Sequence, residues 1–182
     1  MQTCRQERAA LLQEISETSK QLDDMRIRVS QLTARKKTIE EMEHNYEGYN
    51  GAVRYIMKAA PAGIEGVVGD LMKAPAGYET ALETALGGAM QNVVTASSDD
   101  ARYLIEYLKR TNGGVVTFLP VSSMRPKPDT REIQRALNEK GAMGLATELV
   151  QYDDYYYNVI SNLLGNTLIC DNIFNANTIA KK

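Results

Sequence analysis

GVVGDLMKAPAGYETALETALG, residues 66–87, decides the fold because a degenerate second copy lies 78 positions downstream. That copy is GLATELVQYDDYYYNVISNLLG, residues 144–165, and the two align without a gap. Tyr78 aligns with Tyr156, and in both copies apolar residues follow the tyrosine at i+3, i+4, i+7 and i+8. This spacing predicts one buried face of a short helix, ended by a glycine. The repeat therefore predicts two lobes built on one plan.

Glycines recur at matching places in the two copies. We assign structural roles, either close packing or the ending of a helix, to Gly66, Gly69, Gly87, Gly88, Gly144 and Gly165. Their spacing matches neither the phosphate-cradling GxxxxGK[ST] pattern nor the dinucleotide-binding GxGxxG pattern. The glycines therefore predict architecture rather than a nucleotide site.

Composition excludes several classes of protein. The chain has 182 residues, 43% of them hydrophobic, and a formal net charge of -2, so no strong overall field recruits nucleic acid. Cys4 and Cys170 lie far apart without cysteine or histidine partners, which argues against a disulfide framework or a zinc site. No apolar run approaches the roughly 20 residues of a membrane helix, and no signal core is present. We expect a cytoplasmic protein.

Residues 8–50 contain no proline and carry an imperfect heptad pattern. The d positions are Leu11, Thr18, Met25, Leu32, Ile39, Tyr46 and Val53, and the a positions are Arg8, Ile15, Leu22, Val29, Lys36, Glu43 and Asn50. On so charged a helix this pattern favours a coiled coil over an amphipathic helix packed on its own domain. The partner helix is either another copy or a segment outside this chain. We place this arm at residues 1–60.

Residues 61–120 are predicted to form a first lobe, lobe I. Apolar runs predict strands at 64–71, 90–95 and 115–119, and helices are predicted at 78–86 and 101–110. The run SSDDA, residues 97–101, supplies a helix cap. Strands that alternate with helices predict a compact α/β (α+β) unit.

Residues 121–143 form the connection, a proline-containing loop followed by a polar helix at 130–140. Lobe II, residues 144–182, is predicted to hold a strand at 145–150, a helix at 155–164, a strand at 167–170 and a helix at 173–182. The first copy continues into the strand GGVVTFLP, residues 113–120, and the second copy has no such strand. We therefore expect lobe II to be incomplete within this chain.

In this order, the motifs resemble the hinge domain of structural maintenance of chromosomes (SMC) proteins, preceded by the end of one coiled-coil arm. The resemblance covers residues 48–182. It rests on GVVGDL (66–71), YETALETALGG (78–88), NVV (92–94), TFLP (117–120), LVQYD (149–153) and LLGNTLICD (163–171). The NYEGYNGAV segment, residues 45–53, resembles bacterial members most.

The resemblance implies a two-lobed hinge that dimerises with a second hinge and so links two ATPase subunits acting in chromosome condensation and segregation. The ATP-binding motifs of the family belong to its head, which these residues do not encode. The family continues beyond the position of Lys182 through further strands and a returning arm. The resemblance thus implies a non-enzymatic domain of a cytoplasmic, nucleoid-associated protein, with no cofactor.

The residues themselves indicate no catalytic or metal site. His44 is the only histidine and lies at an outward heptad position, so the globular part lacks the base of a Ser/His/Asp triad, and a hydrolase ranks last among our interpretations. Asp153 and Asp154 stand where a helix begins, and acidic groups there favour the helix dipole, so we do not read them as metal ligands.

Two groups of residues remain as candidate contact surfaces. Tyr155 and Tyr157 flank the core position Tyr156, and they are either a partner interface or incidental surface. The candidate DNA contacts are the basic residues Lys109, Arg110, Arg125, Lys127, Arg131 and Arg135. A solvated charged surface is the alternative for that group. The second functional hypothesis is thus a DNA-binding module that contacts the phosphate backbone.

Overall fold

The computed structural model describes residues 2–59 and 61–181, which form two compact units with their limit between Gly48 and Tyr49. The first unit consists mainly of α1 (Gln2–His44). Its heptad residues Ile15, Leu22 and Met25 are 63%, 45% and 67% exposed. The predicted long helix is confirmed, and its uncovered apolar stripe is what a coiled-coil helix presents to a partner.

The second unit mixes helices and strands, as the sequence predicted. Its helices are α2 (Gly51–Ala59), α3 (Glu79–Leu86), α4 (Ser98–Thr111), α5 (Arg131–Leu137), α6 (Ala146–Leu149), α7 (Tyr157–Leu164) and α8 (Ile173–Ile179). Its strands are β1 (Ile64–Val67), β2 (Met72–Lys73), β3 (Val93–Thr95), β4 (Phe118–Pro120), β5 (Ala142–Leu145), β6 (Gln151–Tyr152) and β7 (Leu168–Cys170). Short 3-10 helices cover Gly87–Gln91 and Asp154–Tyr156.

The strands form three small sheets. In the first sheet β3 lies in the middle, antiparallel to β1 and parallel to β4. In the second sheet β5 pairs antiparallel with β7. The third is an antiparallel ladder of β2 and β6, which joins a strand of lobe I to a strand of lobe II.

Two hydrophobic clusters hold the second unit together. The shared core draws on both lobes and comprises Val68, Leu82, Leu86, Val94, Val121, Ala146, Val150, Val159, Ile160, Leu164 and Ile169. The closed core lies on one side of the first sheet and comprises Val53, Ile56, Val67, Val93, Leu104 and Leu108. The apolar residues of the 22-residue repeat thus contribute mainly to the shared core.

The predicted strand at 145–150 is wrong. The strand there is β5, which ends at Leu145, and α6 occupies the next four residues. Ala146 and Val150 are both buried in the shared core, and residues four apart lie on one face of a helix. A strand would also have placed these two residues on one face, but the helical turn brings them closer together in space.

Three other predicted strands are shorter than expected, and the one at 115–119 begins only at Phe118, as β4. The chain turns after Val67, whose carbonyl accepts hydrogen bonds from the N–H groups of Asp70 and Leu71 at 2.9 and 3.2 Å. Likewise, the residues before β3 form a 3-10 helix rather than extended chain. The glycines in these stretches mark turns that divide an otherwise continuous apolar run.

The globular unit begins earlier than the expected limit near residue 60. Helix α2 places Val53 and Ile56 in the closed core, where they are 1% and 0% exposed. Ala60 lies outside the described residues, as does Lys182 at the end of the predicted last helix. The predicted heptad pattern extended to Val53 because the buried residues of α2 continue the spacing of the apolar residues in α1.

Candidate functional site

The ladder of β2 and β6 contains a local two-fold axis. Lys73 and Gln151 stand 78 positions apart, so they are equivalent residues of the repeat, and they lie directly opposite each other in the antiparallel pair. When the residues that lie opposite each other in an antiparallel pair are equivalent positions of a repeat, a two-fold rotation places each strand on the other. The repeat therefore describes two lobes that face each other across this ladder.

The helices of the repeat meet at the same junction. Helices α3 and α7 cover equivalent residues and pack against each other. Leu82 and its equivalent Ile160 are both buried in the shared core, as are Leu86 and Leu164. The predicted helix faces are therefore the surfaces through which the lobes contact each other.

Gly66 and Gly144 show that the strands also follow one plan. Each lies in an irregularity of an antiparallel pair, with φ of 156° and 144° respectively. A Cβ at Gly66 would come within 2.9 Å of Leu71, and one at Gly144 would come within 3.7 Å of the equivalent Leu149. Glycine allows this conformation and the close leucine at both places.

Beyond the 22-residue repeat, equivalent residues of the two lobes lie 75 positions apart in the sequence instead of 78. Strand β3 corresponds to β7, and α4 corresponds to α8. Ser97 caps α4 by accepting a hydrogen bond from the N–H of Asp100, and Asn172 caps α8 by accepting one from the N–H of Asn175. The predicted cap in SSDDA is thus present, and lobe II carries its counterpart.

The lobes differ at their outer sides. In lobe I the closed core lies between α2, the first sheet and α4, with Leu104 fully buried. In lobe II the corresponding space is an open groove of about 850 Å³ beside α5, β7 and α8. Its apolar lining residues, all half-buried, are Ile133, Ala136, Leu145, Leu168, Cys170, Ala176 and Ile179. No strand within the described part of the chain pairs with the outer edge of β7.

Some of the predicted DNA contacts take part in the fold. The Nζ of Lys127 donates a hydrogen bond of 3.4 Å to the carbonyl of Leu163, and the carbonyl of Arg125 accepts one of 2.8 Å from the side chain of Asn162. Arg131 and Arg135 lie on α5, with Arg135 at the open groove. Arg125 and Lys127 therefore lie at the end of α7, whereas Arg131 and Arg135 lie on the helix that packs against the second sheet.

Lys109 and Arg110 lie elsewhere, in the last turn of α4, where they contribute to a different surface. A tyrosine groove of about 490 Å³ lies next to Arg110 and is lined by Gly51, Arg54, Tyr55, Lys58, Ala59 and Tyr107. The rings of Tyr55 and Tyr107 stack with centroids 6.4 Å apart, and the guanidinium of Arg110 lies 5.9 Å from the Tyr107 ring. A side-chain hydrogen bond with Tyr55, together with burial, raises the pKa of Tyr107.

This groove was not predicted from the sequence. Arg54 and Lys58 stand four residues apart on α2, a spacing that places them on one helical face, and this signal was available. The sequence gives no signal that these two residues lie close to Tyr107, because that proximity depends on how α2 packs against α4.

The three tyrosines at the start of α7 divide as the repeat predicts. Tyr156 packs against the shared core, and its hydroxyl lies 3.4 Å from the carboxylate of Glu65. Burial, followed by the charge of Glu65, raises the pKa of Tyr156. Tyr155 and Tyr157 are each 50% exposed, and Tyr155 contacts the ring of Tyr156 edge to face.

The other predicted structural glycines lie at turns and helix ends. Gly69 lies beside Met90, Gly87 ends α3, and Gly88 is exposed in the 3-10 helix that follows. A Cβ at Gly165 would overlap the carbonyl of Ser161. Among the residues that the structure describes, no group of three or more His, Cys, Asp or Glu side chains could hold a metal ion. The side chains of Cys4 and His44 are outside that description.

Two lobes on one plan, joined at a two-fold ladder, define a class of mixed α/β domain whose sequence follows a long helix. The sequence profile described as "SMC proteins Flexible Hinge Domain" matches residues 61–180. The chain belongs to the SMC hinge family.

Related proteins and solved structures support the same family assignment. The chain is 38% identical over 156 residues to the chromosome partition protein Smc of Bacillus subtilis, an alignment that covers 84% of this chain and 13% of that protein. It is 39% identical over 145 residues to Smc of Halothermothrix orenii, covering 79% and 12%. The chain therefore spans about one eighth of the length of these relatives.

The crystal structure of an asymmetric dimer of the Geobacillus stearothermophilus SMC hinge domain superposes with a TM-score of 0.87 at 37% identity, covering 95% of this chain and 70% of that one. The Pyrococcus furiosus SMC hinge gives 0.60 at 28% identity, covering 77% and 72%. Within the described residues, no helix is long and apolar enough to cross a membrane.

Proposed function

We propose that this chain is the dimerisation hinge of a bacterial SMC protein, a non-enzymatic domain that joins two coiled-coil ATPase subunits acting in chromosome condensation and segregation. The proposal rests on the open groove beside β7, an apolar surface that is covered in the other lobe. The Geobacillus stearothermophilus hinge, described as an asymmetric dimer, supports a second hinge as the partner. The parent protein would bind ATP through its head and act at the nucleoid in the cytoplasm.

We infer that lobe II, residues 144–182, is completed by a further strand along β7. Lobe I provides the argument, because β4 runs parallel to β3 with Phe118 opposite Val93. The equivalent of Val93 is Leu168, which lines the open groove. A strand with the apolar character of β4 would therefore cover the groove and satisfy the outer edge of β7.

Light scattering tests the dimer. The 182-residue chain is measured beside a longer form that carries the sequence following it in the parent protein. We expect the longer form to have twice the mass of one chain at micromolar concentration, with the groove residues protected from hydrogen exchange. A monomeric longer form would contradict the proposal.

Tyr155 and Tyr157 are proposed interface residues, since tyrosine is enriched at protein contacts and both rings are half exposed. In the longer form, the double change Tyr155→Ser with Tyr157→Ser is expected to weaken dimerisation at least tenfold. The matched control is Tyr103→Ser, an exposed tyrosine on α4. An unchanged dimerisation constant would assign the two rings to incidental surface.

DNA contact is the second candidate function, and the tyrosine groove favours it. Arg54 and Lys58 line the groove, and the guanidinium of Arg110 lies against the Tyr107 ring, so three cations lie at one surface despite the net charge of -2. Such local convergence is what phosphate binding requires of a protein that is acidic overall.

Binding to single- and double-stranded DNA over a salt series tests this candidate. The double change Arg54→Glu with Lys58→Glu is compared with Arg131→Glu with Arg135→Glu on α5. We expect the first pair to reduce the salt slope by roughly one unit per lost phosphate contact. Equal effects of the two pairs, or a slope near zero in the unmodified chain, would remove the tyrosine groove as the binding surface.

A further inference from the structure

The turn after α4, residues 112–114, leaves no space for a side chain where it meets α2. Asn112 ends α4 in the left-handed conformation, and the N–H of Gly113 donates a hydrogen bond of 2.9 Å to the carbonyl of Leu108. A Cβ at Gly113 would lie 2.6 Å from the Tyr55 ring and 2.7 Å from the Leu108 side chain. Both distances are well below the roughly 3.5–4.0 Å of ordinary carbon contacts. We call residues 112–114 the glycine turn.

Gly114 makes a second close contact with α2. Its φ is 94°, a backbone conformation that favours glycine, and a Cβ there would lie 2.8 Å from the Cβ of Ala52. Beyond the turn, Val116 packs against the closed core, whereas Val115 is 89% exposed. The chain therefore leaves α4, touches α2 at Ala52 and Tyr55, and then continues toward β4.

The glycine turn confines Tyr55, which lines the tyrosine groove. Gly113 lies against the Tyr55 ring, and that ring also stacks with the ring of Tyr107, the two centroids being 6.4 Å apart. The side-chain hydrogen bond with Tyr55 is the main cause of the raised pKa of Tyr107. The guanidinium of Arg110 lies 5.9 Å from the Tyr107 ring. The position of Tyr55 on α2 is therefore linked, through Tyr107, to the cation at the end of α4.

We propose that the glycine turn is a positioning element for the tyrosine groove, because it accommodates the Tyr55 ring and so fixes α2 against α4. The cations of the groove, Arg54 and Lys58 on α2 and Arg110 on α4, are then held in one arrangement before a phosphate arrives. A binding surface that is ordered in advance loses less conformational entropy on binding. The inference deepens the DNA-contact candidate and rests on it for the ligand. The positioning itself can be measured without DNA.

Tyrosine titration tests the positioning. NMR spectra of the chain with isotope-labelled tyrosine, followed into alkaline solution, report the pKa of Tyr107, whose signal is identified by its loss in Tyr107→Phe. Gly113→Ala should displace the Tyr55 ring and lower the pKa of Tyr107 toward the ordinary value of about 10. Tyr55→Phe, which removes the hydroxyl of the hydrogen bond, should lower it in the same direction. The matched control is Gly88→Ala, where the added carbon meets nothing within 4 Å.

Gly114→Ala gives a second, milder perturbation of the same turn. Its added carbon overlaps Ala52 rather than the Leu108 side chain in the closed core, so this variant tests the positioning even if Gly113→Ala does not fold. We expect it also to lower the pKa of Tyr107. An unchanged Tyr107 pKa in the folded glycine variants would overturn the proposal.

Binding to double-stranded DNA separates this inference from the DNA candidate. A loosened groove must be ordered on binding, so the glycine variants should bind about 2–10-fold more weakly. Their salt slope should equal that of the unmodified chain, because every cation is still present. Unchanged affinity beside a lowered Tyr107 pKa would show that the turn does not prepare the groove for phosphate. Absence of binding by the unmodified chain would remove the DNA candidate, while the titration would still decide the positioning role.

Discussion

Gly66 and Gly144 occupy equivalent bulges, yet a methyl group would meet different surroundings at the two positions. Both have positive φ, so alanine is strained at each by about 1–3 kcal/mol. At Gly66 the added carbon also overlaps Leu71, whereas at Gly144 it only touches Leu149. We predict that both alanine variants unfold at lower urea concentration, Gly66→Ala more so. Gly88→Ala, where the space is open, is the control, and a larger effect at Gly144 would contradict this account.

Tyr156 predicts a loss of stability in alkali. Its pKa is raised in the folded protein, chiefly by burial and then by Glu65, so the folded state resists ionisation. The resulting stability is fully present below the ordinary tyrosine pKa of about 10 and declines as pH rises through the raised value. Tyr156→Phe should therefore flatten the fall in unfolding free energy above about pH 10. Tyr103→Phe serves as the comparison, and identical pH profiles for all three proteins would refute the assignment.

Part of the candidate site could be predicted from residue types and their positions in the sequence, and part could not. The core role of Tyr156 followed from the repeat, and the cap at Ser97 followed from its position before a helix. The tyrosine groove did not follow, because Tyr55 and Tyr107 come together only when α2 packs against α4. Arg125 and Lys127 looked like a basic cluster, although the structure shows that the Lys127 amine and the Arg125 carbonyl bond to the end of α7.

Among the secondary-structure elements, α4 and α8 offer a matched comparison of a covered and an uncovered lobe. Leu104 is fully buried, while its equivalent Ile179 lines the open groove. Leu104→Ala should destabilise the chain by about 2–5 kcal/mol, the usual range for a buried leucine. Ile179→Ala should lower the unfolding free energy by much less, because its side chain is only partly buried and lines the open groove. Equal losses in denaturant unfolding would mean that the groove is covered in solution.

The exposed stripe of α1 predicts association with a partner helix. With Met25→Cys placed at a d position, oxidation should cross-link two copies through α1. Leu22→Asp puts a charge in the stripe and should abolish the cross-link. Ile27→Asp, which changes an exposed apolar residue at an f position, 59% exposed against 45% for Leu22, should preserve it. Loss of the cross-link in both variants would indicate non-specific apolar contact rather than a heptad seam.

Short elements account for most of the differences between sequence and structure. Strands β2 and β6 are two residues long, so no alternation of apolar and polar residues can reveal them. Helix α6 is one turn long, and its buried Ala146 lies four residues before the buried Val150, a spacing compatible with a helix or a strand. The long α1 was predictable because its pattern continues over many turns, and the short helices α3 and α7 were predictable because the same pattern occurs twice in the chain.

For the whole molecule, the repeat predicted two lobes but not how they meet. Residues 78 positions apart occupy equivalent places in the strands and helices of the two lobes as far as Gly165. That spacing could not show that Lys73 lies opposite Gln151, since a strand pairing between distant segments has no local signature. The sharing of one core between the lobes is likewise a consequence of that pairing, and it governs how the molecule unfolds.

Because Leu82 and Ile160 are equivalent and lie in the same core, the two lobes should unfold together. Each is nearly fully buried, at 3% and 1% exposed, so Leu82→Ala and Ile160→Ala should each cost about 2–5 kcal/mol. Urea unfolding followed by hydrogen exchange in β3 and in β7 should give one midpoint for both strands, shifted alike by either substitution. If Ile160→Ala lowered the midpoint of β7 alone, the lobes would be independent domains. In that event the two-fold ladder would be a contact between separate units rather than the centre of one cooperative fold.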